Sequence, residues 1–235
     1  MCREAPRFRG TLSVQVSGNN GVAPGATAAV LNVTAVNPAG AGWFTVYPGA
    51  ATPPTTANVN YAVGETTANR VIVPLSPSGT VSVYSYAASD VIVDVSGYYT
   101  PAGGVGSQFT AEPAPVRICD TRPGNPSGLS GGDAQCDNGT LGAGATKTIH
   151  VTGLAGVPSG TTAVVVNLTA ISPTQSTYLT IFPGPSQPVV SDLNPAAGEV
   201  RANLVVAALS SNGTISIYNN TGSVDVAVDV LGWYS

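Results

Sequence analysis

The segment Gly128-Leu129-Ser130-Gly131-Gly132 matches G-x-S-x-G, the pattern that presents a nucleophilic serine in many hydrolases. His150, the only histidine, and Asp120 supply the residue types for a base and its orienting acid, so activated esters or phosphoesters would be the substrates to consider. A nucleophile elbow, however, needs a strand before it and a helix after it in an α/β sheet. Here the match falls in a Gly-rich run between Cys119 and Cys136, RICDTRPGNPSGLSGGDAQC, where glycine and serine meet by composition alone.

Aspartates recur as Asp90 with Asp94 and Asp225 with Asp229. Four residues along a strand span roughly 13 Å, whereas Ca²⁺ holds its oxygens at about 2.4 Å, so no pair chelates one ion. Each carboxylate could join a Ca²⁺ site only singly, with loop carbonyls, and ion pairing with Arg122, Arg70 or Arg201 is the plainer expectation. With one histidine and no zinc-ligand spacing, no metal site is assigned. Phosphate loops and dinucleotide fingerprints are absent from the sequence.

Trp43, Thr45 and Tyr47 alternate, as do Tyr178, Thr180 and Phe182, which places each trio on one face of a strand. An exposed stripe of this kind could stack on pyranose rings, which makes Trp43, Tyr47, Tyr178 and Phe182 the ligand-binding candidates; buried, it is ordinary core. Asparagines also recur in pairs, Asn32 with Asn167, Asn60 with Asn194 and Asn69 with Asn203. A buried amide must be hydrogen-bonded, so these are expected to tie loops or bulges to a sheet. Asp94, Asp229 and Arg122 join them as structural polar groups.

The elements that must hold these residues are written twice. GVAPGATAAVLNVTAV from Gly21 matches GVPSGTTAVVVNLTAI from Gly156, and WFTVYPG from Trp43 matches YLTIFPG from Tyr178, at an offset of 135. After a one-residue slip NVNYAVGETTANRVIVPL from Asn58 matches DLNPAAGEVRANLVVAAL from Asp192, and SDVIVDVSGYY closes the first unit as SVDVAVDVLGWY closes the second. Extended backwards, the match brings Cys2 within one position of Cys136, so the first unit carries only the second half of the Cys119/Cys136 bracket and is expected to lack its first strand. That rationalises an odd count of three cysteines. A Cys119–Cys136 disulfide would mark an oxidising compartment; two reduced thiols are the alternative.

Short runs such as TLSVQV, AAVLNVTAV, RVIVPL and DVIVDV alternate with period two and are punctuated by Gly, Pro and Asn, and no window has helical spacing. The fold class is therefore all-β: two tandem antiparallel sandwiches, Ig-like or jelly-roll-like, of six to nine strands each. Residues 1–100 form the first, 101–115 a Gly/Pro-rich linker or crossover, and 116–235 the second. In the closing strand, Val91, Val93 and Val95, like Val226, Val228 and Val230, should face inward, with Asp90, Ile92 and Asp94, or Asp225, Ala227 and Asp229, facing out.

Charged residues make up 9% of the chain and the net charge is −4, so there is no basic surface to neutralise phosphates and nucleic acid is not an expected partner. No apolar run reaches the roughly 18 residues that cross a bilayer, so membrane insertion is not expected either. An unpaired sheet edge in the first unit would invite strand addition, and with it concentration-dependent homo-oligomers.

RICDTR at Arg117, GVPSGTTAVVVNLT at Gly156, LTIFPG at Leu179, SDLNPAAGEVRANLVV at Ser191 and SVDVAVDVLGWY at Ser223 together resemble a tandem β-rich repeat domain of secreted and surface proteins of actinobacteria and related soil bacteria. The likeness covers nearly the whole chain, the first copy lacking its RICDTR-like strand. It implies an extracellular β-sandwich and implies no reaction. A non-catalytic module for adhesion, spacing or binding a glycan or cell-surface polymer is the leading expectation, with a hydrolase using Ser130, His150 and Asp120 as the alternative.

Overall fold

The computed structural model describes residues 7–101, 103–104 and 106–235. Cys2, on which part of the repeat alignment rests, lies outside the described residues. The chain divides into unit 1, Met1–Gly106, and unit 2, Ser107–Ser235. Both are built from antiparallel strands, with a single 3-10 turn at Gly131–Ala134 as the helical content among the described residues.

Unit 1 contains β1 (Phe8–Gln15), β2 (Ala28–Val36), β3 (Gly42–Pro48), β4 (Val59–Tyr61), β5 (Thr67–Pro74) and β6 (Thr80–Tyr99). The 20-residue β6 serves two sheets. Its first half pairs with β1 and β3, and β4 extends that sheet beyond β3. Its second half, from Asp90, pairs with β2, which pairs in turn with β5. Between the sheets lies a core in which Phe44, Leu31, Val33, Val81 and Val83 are fully buried.

Unit 2 repeats the plan with β8 (Thr146–His150), β9 (Ala163–Ile171), β10 (Leu179–Phe182), β11 (Val200–Ala208), β12 (Thr214–Asn219) and β13 (Asp225–Tyr234). One sheet runs β10-β12-β8 and the other β11-β9-β13-β7, where β7 (Phe109–Asp120) opens the unit. The long strand is here interrupted. Asn219, fully buried, donates from its Nδ2 to the carbonyls of Leu141, Gly142 and Gly222, and so ties down the bend between β12 and β13.

Two expectations shift. Strand β7 begins at Phe109, where it pairs with Tyr234, so half of the stretch read as a linker belongs to the sheet. Ala227, expected to face out, is 1% exposed, while its repeat equivalent Ile92 is 50% exposed. The cause is strand order: β13 is central, between β9 and β7, whereas among the described residues the second half of β6 pairs with β2 alone.

That difference sets the energetics of equivalent valines. Val228 is fully buried, while Val93 only packs partly against its core. Removing two methyl-sized groups from a closed site costs about 2 kcal/mol, and under about 1 kcal/mol where water already reaches the side chain. We therefore expect Val228→Ala to lower the unfolding midpoint of unit 2 in urea well beyond the shift that Val93→Ala causes in unit 1. Equal shifts would contradict this difference in burial.

Candidate functional site

The residues singled out by type fall into four groups. In unit 2, the RICDTR segment forms a closed polar network on β7 and β13. Arg117 grips Asp229 with two hydrogen bonds, Nε to Oδ1 at 2.8 Å and Nη2 to Oδ2 at 3.0 Å, across paired strands. Its Nη1 also donates to Ser127 Oγ at 3.1 Å, and Ser127 in turn donates to Asp120 Oδ2. Asp120, 2% exposed, takes Arg122 Nη2 at 2.6 Å, Arg122 Nε at 3.0 Å and the Arg122 backbone N–H at 3.2 Å.

Burial alone would raise the Asp120 pKa. The hydrogen bonds from Arg122 and Ser127 outweigh it and hold the carboxyl at about 2. Arg117 and Arg122 are both pushed above the ordinary guanidinium value, first by their hydrogen bonds to Asp229 and Asp120 respectively. The partner of Asp229 is thus Arg117, not one of the three arginines expected. Arg122 is held by Asp120, two residues away.

Thr121 completes the segment. Its Oγ1 donates to Asp225 Oδ1 at 3.0 Å and accepts the Val226 N–H at 2.7 Å. Asp225 also receives Thr140 Oγ1 at 2.7 Å. Among the described residues no three His, Cys, Asp or Glu side chains gather so as to hold a metal. Cys119 and Cys136 form a disulfide that closes the Gly-rich loop, and both are fully buried.

The nucleophilic trio is not assembled. Ser130 is exposed and precedes the 3-10 turn with no side-chain capping bond. His150 is exposed at the end of β8, where its backbone N–H and C=O are clasped by the Gln135 amide at 2.8 and 2.9 Å. Among the described residues no hydrogen bond joins Ser130, His150 and Asp120, and the acid that would orient the base is committed to Arg122 and Ser127.

One of the asparagine pairs, Asn69 with Asn203, ties a loop to a strand in both units. Asn69 Nδ2 donates to the Asn58 carbonyl at 2.7 Å, and Asn58 Oδ1 accepts the Val46 N–H at 2.7 Å. In unit 2 Asn203 Nδ2 donates to the Asp192 carbonyl at 2.7 Å, and Asp192 Oδ2 accepts the Ile181 N–H at 2.8 Å. Asn58 and Asp192 were missed as site-shaping groups. Their signal is the acceptor side chain common to both positions in the aligned NVN and DLN. Asn167 Nδ2 reaches Thr169 Oγ1 at 3.3 Å, and Asn32 is 1% exposed on β2.

The aromatic stripes split by depth. Tyr47 is 3% and Phe182 4% exposed, so neither offers a face to solvent. Tyr178 is half-buried and tilts against Tyr218 at 6.0 Å between ring centroids. Trp43 lines an open groove of about 410 Å³ with Thr45 and Tyr84 on the sheet and residues 53–57 of the following loop. Stacking on Tyr86, 4.1 Å between centroids and 15° between planes, fixes the indole. The loop is held against β3 because Thr45 Oγ1 donates to the Thr56 carbonyl. No charged side chain lines the groove, and the Tyr84 hydroxyl makes no hydrogen bond among the described residues.

Fold and groove together define a duplicated, all-β sandwich chain with a neutral aromatic cleft in unit 1. No protein-family model matches the chain, and no curated protein matches it. Among solved structures it is similar to the N-terminal CBM22-1-CBM22-2 tandem domain from Paenibacillus barcinonensis Xyn10C, at 12% identity and a TM-score of 0.25, covering 97% of this chain and 84% of that one. A score of that size establishes no common arrangement of strands.

Proposed function

We propose that the chain is a non-catalytic extracellular module that binds a neutral polysaccharide through the groove at Trp43. The observation that carries this reading is the groove itself: a fixed indole, a tyrosine hydroxyl that makes no hydrogen bond among the described residues, and threonine and proline walls without charge. Sugar rings present apolar C–H faces to an aromatic plane and hydroxyls to polar rims, whereas a phosphate or sialic acid would need the cations this groove lacks. The Cys119–Cys136 disulfide supports an oxidising, extracellular setting.

Retardation in affinity gels containing neutral plant or cell-wall polysaccharides tests the proposal. One such polymer should retard the chain, and Trp43→Ala should weaken retention at least tenfold, a loss of about 1.4 kcal/mol. Tyr178→Ala, with an unchanged thermal transition, should bind as the parent does. If no neutral polysaccharide retards the chain, or if Trp43→Ala binds like the parent, the groove reading fails and a passive spacer remains.

A further inference from the structure

Asparagine is followed by glycine at Asn20-Gly21, Asn138-Gly139 and Asn212-Gly213. Because glycine carries no side chain, its backbone nitrogen can approach the preceding asparagine's side-chain carbonyl and close a succinimide ring. Two features of the folded chain govern that closure. The nitrogen must be free of a hydrogen bond, and the backbone around it must have room to turn.

At two of these sites the nitrogen is engaged. The Gly139 N–H donates to the Thr121 carbonyl at 3.2 Å, and a Cβ on Gly139 would lie 2.6 Å from Lys147 Nζ and 2.7 Å from the Cys136 carbonyl oxygen. The Gly213 N–H donates to the Ser210 carbonyl at 2.9 Å, and a Cβ on this buried glycine would collide with the Thr152 side chain. Gly21 differs on both counts. Its N–H makes no hydrogen bond among the described residues, and nothing lies within 4 Å of the position a Cβ would take. Both Asn20 and Gly21 are exposed.

The duplication shows why an asparagine stands there. Between β1 and β2 the chain makes a tight turn: the Gly18 N–H donates to the Val22 carbonyl and the Val22 N–H to the Asn19 carbonyl, both at 2.9 Å. Unit 2 forms the same turn, with Gly153 donating to Val157 at 2.8 Å and Val157 to Leu154 at 2.9 Å. The residue before the inner glycine is left-handed in both, with φ 49° at Asn20 and 48° at Ala155. Asparagine adopts that conformation more readily than most residues, so the backbone alone accounts for Asn20. Its exposed side chain makes no hydrogen bond among the described residues.

We infer that Asn20 is a site of spontaneous deamidation, the first of the three to react in the folded protein. The Gly21 nitrogen attacks Asn20 Cγ; the new C–N bond replaces the bond to the side-chain amide, which departs as ammonia with the proton that Gly21 loses. Water then opens the succinimide at one carbonyl or the other and gives isoaspartate or aspartate. Water is the sole co-reactant. Isoaspartate routes the main chain through the former side chain, which lengthens the turn and places a carboxylate in it.

The test incubates the full chain in mildly alkaline buffer and follows the three sites by peptide mapping and mass spectrometry. Since a backbone hydrogen bond holds Gly139 and Gly213, Asn20 should convert at least about fivefold faster than Asn138 or Asn212. In concentrated urea with reductant the three rates should converge. Asn20→Ala writes the unit 2 turn into unit 1 and should abolish this conversion while leaving the other two rates unchanged. Equal rates in the folded chain, or faster conversion at Asn138 or Asn212, overturn the inference. So does a preference for Asn20 that persists undiminished in urea, because the fold would then not be its cause.

Discussion

Replacing both cysteines of the Cys119–Cys136 pair with alanine should lower the thermal midpoint of unit 2 by about 10 °C and leave that of unit 1 in place. The two residues are 17 apart in sequence. Closing a loop of that size restricts the unfolded chain by about 3 kcal/mol, which for a domain of this length corresponds to a shift of that order. The effect should be confined to one transition because each unit has its own buried cluster, and only that of unit 2 contains the two sulfurs. Calorimetry of the parent with and without reductant should reproduce the shift. A parent insensitive to reductant, together with a double alanine variant that melts normally, would show that the Gly-rich loop holds without its bond.

Asp120 should govern the acid limb of unit 2. Its carboxyl ionises at about 2 in the folded chain, below the ordinary 3.8. A depressed acid stabilises the fold wherever the unfolded chain is also ionised, so its contribution is complete above about pH 4 and disappears as pH falls toward 2. A lowering of this size is worth about 2 kcal/mol. Asp120→Ala should cost about 2 kcal/mol at neutral pH, since it removes the buried acceptor of the Arg122 and Ser127 hydrogen bonds while Arg122, a third exposed, stays in reach of water. It should also flatten the dependence of the unit 2 midpoint between pH 4 and 2. Urea titrations at pH 7, 4 and 2.5 measure both effects; a variant with the parent's acid slope would assign that slope to another carboxylate.

Both effects arise in RICDTR, and the fate of that segment shows why a motif that is conspicuous in sequence need not be reactive. Arg117, Asp120, Thr121 and Arg122 each have a partner inside the fold, and Cys119 is bonded to Cys136. Polar residues at this density in a strand look like chemistry. Here they fasten an edge strand and a Gly-rich loop to a sheet that has few charges of its own. Ser130, which completes a nucleophile pattern on paper, lies in that loop with no hydrogen bond to His150 among the described residues.

The aromatic stripe is the converse case. Alternation correctly placed Trp43, Thr45 and Tyr47 on one strand, but it carried no information about depth. Tyr47 packs inside, with its hydroxyl 3.3 Å from Thr11 Oγ1. Trp43, four residues earlier, reaches the rim beside a loop whose position depends on Asn58 and on Thr45. The loop's own sequence, ATPPTTA, announces only that it is not a strand.

From its residues alone this protein is all-β, duplicated, sparsely charged and closed by a strand of alternating valines, because period-two patterning and repetition are properties of the chain read locally. Strand order and register were left to the tertiary structure. They bring Arg117 to Asp229 across 112 positions, bury Ala227 while exposing Ile92, and make β13 an interior strand where the matching half of β6 pairs with β2 alone among the described residues. Partners so far apart are chosen by which strands lie side by side, and period-two spacing says which face a side chain takes without saying which neighbour covers it.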